Sequence, residues 1–197
     1  MREISPAHNA TVDEYLETLS GPVREIINSI RDQKAKGLRH SPSMNLIDTS
    51  KILTSSKRRA LLDKIASLVD ENLSGRSDMC VQYASLLGLA LGDLGFSSRV
   101  VSGQAIYFDA NDDEIFRWEH SWVRVGIEVI DGNIDCLEEN PVVPSAVRIS
   151  PYWGPIASTP RDRTLRRTNA VVADDSDVDN TWWPDLKQWL STEFKSL

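Results

Sequence analysis

Gly75-Arg-Ser-Asp-Met-Cys80-Val-Gln-Tyr83-Ala-Ser-Leu86-Leu87 is the stretch on which the reading of this chain turns. Tyr83, Leu86, Leu87, Ala90, Leu91 and Leu94 recur at helical spacing and make a wide apolar stripe, which predicts a helix over residues 78–94 with Gly95 as its stop. With Ser77 or Asp78 as N-cap, Cys80 falls in the first turn, where the helix dipole and free backbone N–H groups favour an anion. A thiol attacks as thiolate, so this is a position that activates it. A cysteine by itself is more often a small buried hydrophobe, and the assignment depends on its partners.

Outward from this helix the pattern is mixed. Residues 11–34 carry apolar side chains three and four apart, interrupted at Gly21-Pro22, which predicts two short helices or one kinked helix. The polar stretch 34–56 reads as a loop, and 57–73 as a helix burying Leu61, Leu62, Ile65, Leu68 and Val69. Three strand-like runs follow, 98–108, 115–125 and 127–135, joined by Asp109–Asp113 and a tight Gly126 turn, as expected of an antiparallel meander.

Beyond residue 138, Pro141, Pro144, Pro151 and Pro155 predict an irregular, extended segment. Arg161, Arg163, Arg166 and Arg167, followed by Asp174, Asp175, Asp177 and Asp179, read as a solvated, self-compensating loop. The segment from Asn180 reads as a capped terminal helix with Pro184 in its first turn. One domain over residues 1–197 is expected, with a helical N-terminal part (1–74), a core (75–135) and a C-terminal extension (138–197).

Composition removes several functions. A net charge of -7 disfavours non-specific nucleic-acid binding. No run approaches the ~18 apolar residues of a membrane span, and the charged first thirty residues lack a secretory core, so a cytoplasmic location is expected. Two cysteines, Cys80 and Cys136, are too few for a disulfide framework and are expected as free thiols.

The partner of Cys80 lies in Trp118-Glu-His120-Ser-Trp122-Val-Arg-Val125, where strand alternation puts Trp118, His120 and Trp122 on one face and Val123 and Val125 on the other. A mid-strand histidine between aromatic rings can serve as base to a thiol. A third group should fix the imidazole tautomer. The next run offers Asp131 as first choice, since a hairpin at Gly126-Ile127 brings it beside His120, with Asp135 and Asn133 as alternatives. Asp131-Gly132 is also a turn signal in its own right.

These residues resemble the transglutaminase-like superfamily. Gly75, Cys80, Tyr83-Ala84-Ser-Leu86-Leu87 and Gly95-Phe-Ser-Ser-Arg99 are similar to its Cys block, and His120-Ser-Trp122-Val123-Arg-Val125 with Asp131 to its His and Asp blocks, over about 75–135. The resemblance implies a papain-like α+β fold, with the Cys helix packed on an antiparallel sheet that carries His and Asp. It implies acyl-enzyme chemistry on a peptide or glutamine-type amide of a peptide or protein substrate, without metal or cofactor. The chain departs from the papain-like pattern in lacking a glutamine shortly before Cys80, which leaves the second oxyanion donor unassigned. The alternative function is an inactive scaffold that keeps the fold and binds a partner.

Overall fold

The computed structural model describes residues 14–39, 41–73, 75–140, 143–144, 147–168 and 178–197. It is an α+β fold built on one six-stranded mixed sheet. Residues 14–18 are helical, and after a break the chain resumes as α1 (Gly21–Ala35), with Pro22 in its first turn where a missing N–H costs nothing. Helix α2 is Ser55–Val69, capped by the Thr54 side chain, and α3 is Cys80–Asp93. The strands are β1 (Ile47–Asp48), β2 (Ser98–Phe108), β3 (Glu114–Val125), β4 (Glu128–Asp131), β5 (Tyr152–Pro155) and β6 (Arg163–Arg167), and α4 (Trp183–Thr192) follows the last.

Strand order is β1-β5-β4-β3-β2-β6, with every neighbouring pair antiparallel except β1 and β5. The centre is the expected meander: Ser98 to Tyr107 pair with Val125 to Phe116, and the chain turns at Gly126 (φ 56°) into β4. Period-two alternation then divides the faces. Val123, Val125, Ile130 and Trp153 point into the main core, against Leu61, Leu62 and Ile65 of α2, Tyr83, Leu86 and Leu87 of α3, and Leu186 and Leu190 of α4. On the opposite face His120 and Trp122 accompany Val101, Val129 and Tyr152. No helix among the described residues is long and apolar enough to cross a membrane.

Four expectations are corrected. Helix α3 starts at Cys80, with Met79 and not Ser77 or Asp78 as its N-cap and no capping side chain, because Asp78 takes a positive φ of 59° that ends the preceding turn. The run 127–135 pairs only to Asp131; the chain then winds into a 3-10 helix, Ile134–Glu139. The segment after 138 is not uniformly irregular: it returns two strands to the sheet, and its prolines sit where no internal ladder bond is lost, Pro151 before β5 and Pro155 at its end. The terminal helix carries Pro184 in its first turn as expected, but no side chain caps it; a π-helical turn over Val178–Trp182 leads into it. Pro141, Asp174, Asp175 and Asp177 lie outside the described residues.

Gly132 follows the last residue of β4. A Cβ there would come within 2.8 Å of the Tyr83 ring and 3.0 Å of Leu62, so its absence lets α3 close onto the sheet directly beside Asp131. Tyr83, 1% exposed, completes the contact by donating its hydroxyl to the Leu62 carbonyl at 3.0 Å. Gly132→Ala therefore overpacks this joint and is expected to lower stability by about 1–3 kcal/mol; a urea midpoint equal to that of the wild type would show that the joint has slack.

Candidate active site

Cys80 is the first residue of α3, partly buried, with the uncapped positive end of the helix at its thiol. The loop that presents it is held by buried polar bonds. The Arg76 guanidinium, 1% exposed, grips both carboxylate oxygens of Asp135 at 2.7 and 2.8 Å. The Arg76 carbonyl accepts from Asn133 Nδ2 (3.1 Å) and from the Cys136 thiol (3.3 Å). Gly75 enters the loop at φ 59°, where a Cβ would strike Arg39 at 2.8 Å. Asp135, Asn133 and Cys136 thus anchor the cysteine loop, and none of them bonds His120. Both cysteines are free, and burial pushes the Cys136 thiol well up, which leaves it unreactive.

His120 lies on β3 with its Nε2 2.8 Å from Asp131 Oδ1 at the end of β4. Asp131 stands one step beyond the last paired residues of β3 and β4 and on the same face as His120, so the two side chains meet diagonally. Nε2 is thus taken by Asp131, and His120 acts on the Cys80 thiol by its charge and by hydrogen bonding. The backbone of Ser121 also favours the ionised sulfur. Cys80, His120 and Asp131 therefore form a continuous line across α3, β3 and β4.

The electrostatics follow from burial and pairing. Burial alone would raise the Cys80 thiol, but the hydrogen bond and charge of His120, with the Ser121 backbone, bring it below the ordinary thiol value; Asp78 works weakly against this. Burial likewise disfavours the imidazolium, yet Asp131 and then Cys80 raise His120 to about 10. Asp131, wholly buried, is held below the usual carboxylate range by His120 and by Arg163. These directions favour a negative charge on sulfur beside a positive charge on the imidazole.

Two members of the site were not foreseen. The sequence groups Arg163 with a solvated basic loop; it is instead fully buried on β6, donating to the second Asp131 oxygen at 3.0 Å, to Asp162 and to the Ser150 carbonyl. Its register partner on β2, Tyr107, is buried with an unbonded hydroxyl, within electrostatic reach of Asp131, Arg163 and Cys80. The alternation Arg163-Thr-Leu165-Arg-Arg167 held the strand signal, obscured by its charges. Gln82 has its Oε1 buried without a partner, and the backbone N–H groups at the start of α3 are oxyanion donors at hand. Among the described residues no group of three His, Cys, Asp or Glu side chains could hold a metal ion.

The fold and site together define an α+β protein with a buried Cys-His-Asp line. Comparison with profiles of known protein families, with curated protein sequences and with solved structures finds no match.

A depressed thiol has a direct kinetic signature. Cys80 should react with iodoacetamide at pH 7 faster than a free thiol of ordinary pKa (~8.5), with its rate falling only as pH drops through the lowered value. His120→Gln removes the cation and keeps the burial, so the titration should move above ~8.5 and the rate at pH 7 should fall at least about tenfold. Equal rates in the two proteins would show that His120 does not activate the sulfur.

Proposed function

We propose that this protein is a cysteine-dependent hydrolase or acyltransferase of papain- or transglutaminase-like design, acting on a peptide or glutamine-type amide. The observation that carries the reading is His120 bonded to Asp131 at 2.8 Å and acting on the thiol of Cys80, with sulfur at an uncapped helix N-terminus and the imidazole raised to about 10. Its three residues also stand in the order and at the spacing that the sequence resemblance implies.

The chemistry the residues would perform is balanced without any further group. The Cys80 thiolate adds to the carbonyl carbon, and the backbone N–H groups at the head of α3 stabilise the oxyanion. The His120 imidazolium gives its Nδ1 proton to the departing amine as the C–N bond breaks, leaving a thioester. Neutral His120 then takes a proton from water or an incoming amine, whose attack releases Cys80 as thiolate. Asp131, bound to Nε2, keeps the ring oriented through both steps and stabilises its charged form. A resting imidazolium suits the first step, since the acid that the leaving amine needs is already in place.

The test is acyl trapping. Wild-type protein incubated with a mixed peptide pool, quenched in acid and digested should show an acyl mass on the Cys80 peptide, which a primary amine or water discharges. Asp131→Asn, read on the protein that circular dichroism shows to be folded, should slow adduct formation by about two to four orders of magnitude. A Cys80 peptide that gains no mass, under conditions where the thiol alkylates rapidly, would contradict amide chemistry and leave a scaffold.

A further inference from the structure

Beside this line, on the sheet face away from the helices, is a cavity of about 280 Å³. Its floor is apolar, made by Val101, Trp122 and Leu165, and three arginines, Arg99, Arg124 and Arg167, stand around it. Neither Cys80 nor His120 lines it; the Trp122 ring, 6.3 Å from that of His120, separates the two places. The volume sits just below the usual range for small-molecule sites, roughly 300–1,000 Å³.

The charge arrangement is unusual for a chain of net charge -7. Arg99 and Arg124 are direct cross-strand partners in the β2–β3 register, so their side chains leave the same face side by side. Like charges directly opposite on neighbouring strands repel and destabilise a sheet. Arg167 joins them from β6, opposite Gly103. Among the described residues no carboxylate lines the cavity and none of the three makes an ion pair. Arg124 gives one Nη2 bond, at 3.5 Å, to the Gly126 carbonyl, while its Nε is buried with no acceptor. Arg163, which also borders the cavity, is by contrast saturated by Asp131, Asp162 and Ser150.

Repelling guanidiniums, a buried N–H without an acceptor and an apolar floor are each costly in the empty protein, and one kind of occupant relieves all three. We propose that this cavity binds a small organic anion, its carboxylate or phosphate held between Arg99, Arg124 and Arg167 and its apolar body laid on Trp122, Val101 and Leu165. The planar fork of a guanidinium matches the paired oxygens of either head group, and the Trp122 ring offers a flat surface to a ring of similar size. The site is independent of whether Cys80 reacts, because neither Cys80, His120 nor Asp131 lines it.

Calorimetric titration of the full chain at low ionic strength tests this with phenyl phosphate, benzoate, inorganic phosphate and phenol. Phenyl phosphate or benzoate should saturate, the tighter of the two naming the head group, with inorganic phosphate at least about tenfold weaker and phenol silent. Arg124→Met should weaken the organic anion by at least about tenfold and leave Cys80 alkylation unchanged. Arg99→Gln, an exposed change that relieves the repulsion, should weaken the anion and raise the melting temperature of the ligand-free protein. No saturable binding up to about 10 mM, binding that survives both substitutions, equal binding of phenol, or a lower melting temperature for Arg99→Gln would each overturn the proposal.

Discussion

Asp131 is the point on which the structure depends. Its carboxylate has no solvent contact, and a buried charge without partners costs several kcal/mol. Two cations answer it from two other strands, His120 from β3 and Arg163 from β6, one to each oxygen. The arrangement ties β6, with two strands between them in the sheet, to the end of β4, and it fixes the plane of the His120 ring. Immediately after it, Asn133, Asp135 and Cys136 hold the Arg76 loop that delivers Cys80. The short segment 131–136 therefore sets both ends of the Cys–His pair, and the alignment of sulfur and imidazole follows from how that segment is pinned.

A second layer of polar contacts supports the first. Arg39, reaching from beyond α1, bonds Asp70 at the end of α2 and Glu139 at the end of the 3-10 helix, with its Nη1 2.6 Å from Glu139. Glu139 is pushed up by burial and drawn back by Arg39. The helical layer and the segment behind the site are thus joined by charge as well as by the apolar core, which limits how far the cysteine loop can move from β3.

The centre of this architecture was legible because its signals are local and periodic. The stripe Tyr83 to Leu91 marks α3, alternation from Trp118 to Val125 marks β3 and puts His120 opposite Val123, and the Gly126 hairpin brings Asp131 into range. What escaped lies in tertiary pairing. Ile47-Asp48 is too short to carry a period and exists as a strand only beside Tyr152-Trp153. Strand β6 hides among arginines, and the burial of Arg163, on the same face as the exposed Arg167, depends on a carboxylate 32 residues away. The choice between Asp131 and Asp135 needed the knowledge that Arg76 occupies Asp135. Helix start signals misled by one or two residues because the strained Asp78 displaced the cap.

The central claim is that His120 rests as an imidazolium held by Asp131, and that its charge favours the thiolate form of Cys80. The most direct test is nitrogen-15 NMR of histidine-labelled protein, with the His120 resonances assigned by their loss in His120→Gln. The account predicts an imidazole carrying protons on both nitrogens at pH 7 and losing one only as the pH approaches about 10. A neutral His120 ring at pH 7, with a single protonated nitrogen and an ordinary titration near 6.5, would contradict it.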